Sequence, residues 1–254
     1  MPSKYLSEIV YCDTFAKDIF SITILSETLA GKARAGQFLH VKCGHSRILR
    51  RPISICSVRG ASIEFVFEVK GEGTRWLSKR KPGDKLDVLG PLGNGFSFPD
   101  GNIIIAGGGM GAPPMLFAAE SARGGSAAVL GFRNKDRVIL TKEFEAICET
   151  VVLATDDGSL GYHGNVAAPL KQLIESGKYS AVLACGSQLM LSAVANTCKQ
   201  YNMPCQVSLE ERMGCGVGAC LVCACATVKN GKEDMSRVCA DGPVFDASEL
   251  MINT

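Results

Sequence analysis

Four cysteines in the last quarter of the chain constrain it more than anything else in the sequence. Cys215, Cys220 and Cys223 follow the spacing C-x4-C-x2-C, and Cys239 comes after fifteen further residues. This is the thiolate pattern of a plant-type [2Fe–2S] cluster. A four-cysteine zinc site, the structural rival, usually draws its ligands from two C-x2-C knuckles, and only Cys220 and Cys223 make one. Gly216 and Gly218 suit a loop wrapped tightly around inorganic sulfide, where positive φ is needed and backbone N–H groups can point at sulfur. Cys225 competes with Cys223 for ligand status, but the x2 spacing favours Cys223. Cys225 to Lys229, the Asn230-Gly231 turn and the return to Val238 read as a hairpin that carries Cys239 back toward the cluster. Such a cluster passes single electrons, so the rest of the chain must supply what it exchanges them with.

The chain has 254 residues, enough for two medium domains with cores of their own. Its formal net charge of +2 gives no case for nucleic acid or for a polybasic membrane patch. Ile103 to Ala119 is the longest apolar candidate for a membrane span, and Gly107-Gly108-Gly109 and Pro113-Pro114 break it. Met1 to Val10 lacks the pattern of a secretory signal, so a cytoplasmic location with reduced thiols is expected. In that setting clustered cysteines are metal or redox ligands. Cys12, Cys43, Cys56, Cys148, Cys198 and Cys205, scattered elsewhere, read as small buried hydrophobes.

Three textures follow one another. Residues 1–98 carry short alternating or β-branched runs, with strands expected at Ile19 to Leu25, Gln37 to Val41 and Ser62 to Val69 and a short helix near Thr74 to Lys79. They predict an antiparallel β-barrel or sandwich. In residues 99–207 strand and helix alternate. Strands are expected at Ile103 to Ala106, Ala127 to Phe132, Val151 to Ala154 and Ala181 to Ala184. The helices between and after them fall at Pro113 to Ala122, Lys142 to Cys148, Ala167 to Glu175 and Gln188 to Tyr201. That alternation predicts a doubly wound parallel sheet. Residues 208–254 are Cys- and Gly-rich and too short for a core, so their order should depend on the metal site. The fold class is thus multidomain: an all-β barrel, an α/β domain and a small cluster domain.

Gly107-Gly108-Gly109-Met110-Gly111-Ala112 joins a strand to a helix, where glycines let the backbone approach a pyrophosphate. The next strand ends Gly131-Phe132-Arg133-Asn134, without the acidic residue of the ordinary dinucleotide fingerprint. Arg133 suits a 2′-phosphate or, more commonly, solvent. Arg50-Arg51-Pro52-Ile53-Ser54, placed after a strand, pairs a guanidinium for phosphate with a hydroxyl for a ring edge. Gly71-Glu72-Gly73-Thr74 offers a second small cradle.

In combination these motifs resemble the ferredoxin reductase superfamily. The stretch from Gly214 to Cys223, with Val238-Cys239-Ala240-Asp241-Gly242-Pro243-Val244-Phe245, resembles more narrowly the electron-transfer subunits of class 1B dihydroorotate dehydrogenases. The resemblance implies FAD in the barrel, at Arg51, Pro52, Ile53 and Ser54, at Val66, Phe67 and Glu68, and at Gly73 and Thr74. It implies NAD as substrate near Gly107, Gly108, Gly109 and Gly111 and near Cys185 and Gly186, faced by Thr155 to Ser159. The cluster ligands carry over as Cys215, Cys220, Cys223 and Cys239.

The implied chemistry is a relay from the FMN of a separate catalytic subunit, through [2Fe–2S] and FAD, to NAD⁺ in pyrimidine biosynthesis. No side chain need act as acid or base, since hydride passes between cofactors. The three regions leave no length for a (β/α)8 barrel of ~250 residues, so the FMN subunit must be another chain. The resemblance implies a heterotetramer with two copies of each. Two alternatives share many of these features: the flavin/iron–sulfur subunit of a sulfide dehydrogenase or of an NADH-dependent ferredoxin–NADP reductase, and a non-enzymatic zinc-stabilised interaction protein.

Overall fold

The computed structural model describes residues 3–44, 48–229 and 231–251. Six strands close an antiparallel barrel in the order β1-β2-β5-β4-β3-β6. They are β1 (Ser3–Ala16), β2 (Ile19–Leu25), β3 (Phe38–Val41), β4 (Arg51–Arg59), β5 (Ser62–Glu68) and β6 (Lys85–Leu92), with α1 (Glu27–Ala30) and α2 (Glu72–Leu77) in the connections. Leu39, Val41, Ile55, Ile63, Phe65 and Val88 are fully enclosed in the interior. Alternation along β5 puts Ile63, Phe65 and Phe67 on one face and Val66 and Glu68 on the other. Val66 is nonetheless buried, because that outer face meets the second domain.

Arg51 to Ser54 lie on β4 itself, not in a loop after a strand. Pro52 is the reason the sequence misleads here, since proline ordinarily interrupts a sheet. Over this half β4 pairs only with β3, and its ladder to β5 begins at Ile55. A proline is tolerated on such an edge.

The second sheet has seven strands in the order β10-β9-β8-β7-β11-β12-β15. In chain order the elements are β7 (Ile103–Gly108), α3 (Ala112–Glu120), β8 (Ser126–Phe132), α4 (Thr141–Glu145), β9 (Thr150–Thr155), β10 (Tyr162–His163), α5 (Ala167–Glu175), β11 (Ala181–Cys185), α6 (Gln188–Gln200) and β12 (Cys205–Ser208). β7 to β12 are parallel. The α/β alternation thus folds as its pattern predicts. The chain winds outward from β7 through β8 and β9, then crosses to the other side of β7 as β11. The strand order therefore reverses between β7 and β11, the position where open α/β sheets bind ligands.

Helix α3 is apolar all round, Ala112 to Ala119 being buried. A helix of this kind must be covered on every side. It lies between the sheet and the barrel: the Ser57 hydroxyl on β4 donates to Glu120 at 2.9 Å, and barrel and sheet share one apolar cluster through Met115 and Leu116. The other face of the sheet packs on α5 and α6 through Leu170, Leu191 and Val194.

The C-terminal segment adds the hairpin β13 (Ala224–Lys229) and β14 (Lys232–Arg237), then β15 (Val244–Asp246). Asn230 of the expected turn lies outside the described residues. β15 pairs antiparallel with β12, Val207 opposite Phe245, so the cluster-bearing segment completes the edge of the nucleotide sheet. A third apolar cluster unites Phe38 of β3 and Leu92 of β6 with Cys223, Val238, Cys239 and Phe245.

Of the six scattered cysteines, five are buried and Cys12 is half-buried; all are free thiols. Among the described residues no helix is long and apolar enough to cross a membrane.

Candidate flavin, nucleotide and cluster sites

The barrel, the second sheet and the C-terminal segment meet at a cleft of about 850 Å³, within the range of small-molecule sites. Arg51, Pro52, Ile53 and Ser54 line it from β4, and Val66, Phe67 and Glu68 from β5. Thr74 closes one end. Its Oγ1 accepts from the backbone N–H of Lys70 at 3.0 Å and of Gly71 at 3.2 Å, which fixes the start of α2. Gly73 lies beneath the Arg51 guanidinium, where a β-carbon would come 2.7 Å from Nε. Among the described residues that guanidinium donates only to the main-chain carbonyls of Leu49 and Arg50. A cationic fork free of carboxylate and a cradle that a side chain would fill together fit the diphosphate of a flavin dinucleotide.

Arg50, its neighbour, serves a different purpose. It donates to the Asp87 carboxylate at 2.7 Å and to the Asp87 and His40 carbonyls, tying β3, β4 and β6 together. Both arginines border the cleft, but the Arg50 guanidinium is taken up by Asp87.

A second cleft, of about 610 Å³, opens at the switch point. It shares Glu68, Lys70, Met110, Gly111, Gly186 and Glu210 with the first, so the two form one continuous groove. Gly107 on β7 stands opposite Cys185 on β11. Gly107 lines neither cleft; a β-carbon there would come 2.9 Å from the Ala112 Cα, so its role is close strand–helix packing. Gly108 and Gly186 both lie against the Met190 thioether, and Gly111 against the Cys185 carbonyl. Gly109 takes φ +52°, open to glycine without strain. Arg133 and Asp156 line the far end of the groove. Cys185 is buried, and burial pushes its thiol up to about 12. Burial thus disfavours its thiolate form.

The four candidate cluster cysteines gather in the C-terminal segment, where Cys223 and Cys239 pack in one apolar cluster with Phe38 of β3. Backbone N–H groups of Val217 and Ala219 point at the Cys215 sulfur at 3.4 and 3.2 Å. Gly218 N–H points at Cys239 Sγ at 3.2 Å, Cys215 N–H at Cys220 Sγ at 3.4 Å and Cys239 N–H at Cys223 Sγ at 3.4 Å. Gly216 and Gly218 take φ of +72° and +83°, which turns these amides inward. Burial opposes ionisation of Cys215, but the N–H groups of Val217, Cys220 and Ala219 outweigh it and bring the thiol down to about 6. Burial, with the Cys223 thiol beside it, pushes Cys239 up to about 12. Among the described residues no three His, Cys, Asp or Glu side chains close on a single metal ion. Sulfurs met by five backbone N–H groups fit the donor set of an iron–sulfur cluster. Cys225 is half-buried on β13, where it pairs with Ser236.

His40 was not singled out by any sequence pattern. It is 1% exposed, and neither ring nitrogen completes a hydrogen bond. Burial and the charges of Arg50 and Arg51 bring its imidazole down to about 4, so it is neutral. The walls contributed by Ser208 to Met213 were missed as well; their only sequence signal is adjacency to Cys215.

Barrel, switch-point groove and amide-rich thiolate loop together define an oxidoreductase component of ferredoxin reductase type with an iron–sulfur segment. A family profile described as the iron–sulfur cluster binding domain of dihydroorotate dehydrogenase B matches residues 210–251. A dihydroorotate dehydrogenase B (NAD(+)) electron transfer subunit from Desulforamulus reducens is 39% identical over 232 residues, 88% of each chain. The subunit of the same name from Clostridium acetobutylicum is 37% identical over 100% of both chains. Among solved structures, an NADH-dependent reduced ferredoxin–NADP oxidoreductase matches at TM-score 0.85 and 31% identity, over 98% of this chain and 91% of that one. An Amycolatopsis cytochrome P450 reductase, at 19% identity and TM-score 0.66 over 80% and 67%, shares the fold. The chain belongs to the family of dihydroorotate dehydrogenase B electron transfer subunits.

Proposed function

We propose that the chain carries electrons between the FMN of a separate dihydroorotate dehydrogenase subunit and NAD⁺, with Cys215, Cys220, Cys223 and Cys239 holding a [2Fe–2S] cluster and the cleft holding FAD. The observation that carries this reading is the closeness of the cleft to the four-cysteine segment at β3. Phe38 on that strand lines the cleft and packs in the cluster's apolar shell. When bound, the flavin joins the cluster's single-electron exchange to the hydride exchange of a nicotinamide.

The chain's own residues orient and enclose. Arg51 takes the diphosphate beside Gly73 and Thr74. Pro52, Ile53, Ser54, Val66, Phe67 and Glu68 line the ring's walls. Gly108, Gly109, Gly111, Cys185 and Gly186 admit the nicotinamide nucleotide to the groove, with Gly107 setting the turn they stand on. Cys220 is exposed, flanked by Val217, Leu221 and Val222, which are 43%, 64% and 58% exposed. An apolar rim around a cluster ligand suits a partner protein's surface. Two copies of each subunit, in the cytoplasm, complete the proposal.

The test is anaerobic co-purification with the bound flavoprotein, followed by dihydroorotate-dependent reduction of NAD⁺. A complex with FAD, iron and sulfide that lacks this activity defeats the reading. The likeness to the ferredoxin–NADP oxidoreductase favours a second reading, exchange with NADPH and ferredoxin. Strong preference for NADPH over NADH would select it.

A further inference from the structure

The ordinary dinucleotide fingerprint places a carboxylate at the end of the strand that follows the glycine turn, where it takes the ribose hydroxyls of the adenosine half. Here that strand is β8, and it runs out as Phe132-Arg133-Asn134, without an acid. The neighbouring strand brings one to the same place. β9 lies parallel to β8, with Thr155 opposite Phe132. Beyond it the Asp156 N–H donates to the Phe132 carbonyl at 3.0 Å and the Asp157 N–H to the Arg133 carbonyl at 3.3 Å. Asp156 thus stands beside the position that the fingerprint acid would hold. It lines the switch-point cleft together with Arg133 and with Gly108, Gly109 and Gly111 of the turn. The two acids of the Asp156-Asp157 pair are not equivalent. Asp157 Oδ1 accepts the Ser159 N–H at 3.0 Å, and Ser159 Oγ accepts the Lys135 N–H at 2.8 Å, so this carboxylate shapes the loop. Asp156 is exposed, and among the described residues its carboxylate has no hydrogen bond or ion pair. The Arg133 guanidinium is likewise exposed and unpaired among them, whereas Arg137 in the same cleft is committed to Glu68.

We propose that Asp156 is the residue by which this site selects NAD over NADP: its carboxylate accepts hydrogen bonds from the adenosine ribose hydroxyls and repels a phosphate on the 2′ oxygen. An ionised carboxylate only accepts, and a ribose hydroxyl has a proton to give, so the two are matched. A 2′-phosphate meets the same carboxylate as like charge, without a proton to share. Arg133 pulls the other way, since a guanidinium favours the phosphate that the carboxylate excludes. The preference is therefore a balance between two unpaired side chains on adjacent strands and not a property of the glycine turn.

This inference rests on the assignment of the nicotinamide nucleotide to the switch-point cleft, and the experiment separates the two. Oxidised holoprotein is titrated calorimetrically with NAD⁺ and, separately, with NADP⁺, neither of which can reduce the flavin. The proteins are wild type, Asp156→Ala, Asp156→Asn, Asp157→Asn and the double variant Asp156→Ala with Arg133→Ala. Wild type binds NAD⁺ the more tightly. In Asp156→Ala the Kd for NAD⁺ rises by about 10-fold to about 100-fold, the scale of a lost hydrogen bond to a charged group, while the Kd for NADP⁺ falls. Asp156→Asn keeps an acceptor without the charge, so it recovers part of the NAD⁺ affinity and still admits NADP⁺. The double variant loses the gain in NADP⁺ affinity. Asp157→Asn keeps the wild-type ratio.

Wild-type selectivity in Asp156→Ala overturns the proposal. Equal weakening of both nucleotides does the same, because it marks a structural role only. A shift of the ratio in Asp157→Asn as large as in Asp156→Asn also overturns it, by making net charge the cause. If Asp156→Ala does not fold, Asp156→Asn decides, and an unchanged ratio there is fatal. Wild-type holoprotein that binds neither nucleotide defeats the nucleotide assignment itself, whereas binding with a ratio indifferent to Asp156 defeats this inference alone.

Discussion

Arg137, on the turn after β8, reaches across to the barrel and forms an ion pair with Glu68 at the end of β5. Its other guanidinium nitrogen donates to the Lys17 carbonyl at 3.0 Å. One side chain thus ties the nucleotide domain to two barrel segments, at the seam where the flavin and nucleotide clefts join.

Replacing Arg137 with alanine should loosen that seam. Both partners are partly exposed, at 30% and 24%, so the ion pair contributes about 1 kcal/mol after screening. The expected fall in melting temperature is about 2 to about 4 °C, followed by flavin fluorescence. The gap between wild type and variant should narrow in high salt. An unchanged melting curve at low salt would show that the pair contributes nothing.

Gly73→Ala should displace the Arg51 guanidinium and weaken FAD binding. Loss of one charge-assisted contact corresponds to about a tenfold rise in Kd. Equilibrium titration of apoprotein with FAD measures it. Unchanged affinity, with helix content intact, would mean that Arg51 does not hold the flavin.

Asp87 anchors Arg50 and also pairs with Lys4 at 3.1 Å. Burial raises its carboxyl, but the hydrogen bonds from Arg50 and Lys4 outweigh it and leave the group below its ordinary value of 3.8. With the folded pKa depressed, the stabilisation is complete above the unfolded value and disappears as pH falls through the folded one. Asp87→Asn should therefore cost roughly 2 kcal/mol at pH 7, the scale of bonds to a charged group. The difference from wild type should fade below the ordinary value. Denaturant melts across pH would refute this if the difference stayed constant down to acid.

Cys223→Ser should abolish the cluster, and Cys225→Ser should leave it. Cys223 is 2% exposed and its sulfur accepts the Cys239 N–H, whereas Cys225 sits in the β13–β14 ladder. Iron analysis, with about two irons per chain for an intact centre, and visible absorption decide. Cluster loss in Cys225→Ser would exchange the two assignments.

What the sequence revealed was whatever is local. Spacing alone marked Cys215, Cys220, Cys223 and Cys239, and the apolar run at Ile103 to Ala106 marked a buried parallel strand, because each depends on a few consecutive residues. Arg51 to Ser54 read as following a strand, whereas they lie on β4, where Pro52 is tolerated because that half of the strand is an edge, visible only in three dimensions. His40 gave no signal. A single histidine in the strand Phe38–Val41 looks like any other residue until Gly216, far along the chain, is brought against its ring. The walls from Ser208 to Met213 were hidden for the same reason, since their position follows from β12 emerging beside β11.

β12 and β15 pair with each other, and all four candidate cluster cysteines lie on the chain between them. The iron-carrying stretch is therefore a span with both feet planted on one edge of one sheet, held by main-chain bonds that involve no sulfur. It cannot swing out like a tethered module to meet a distant acceptor. Whatever trades electrons with this protein has to come to it.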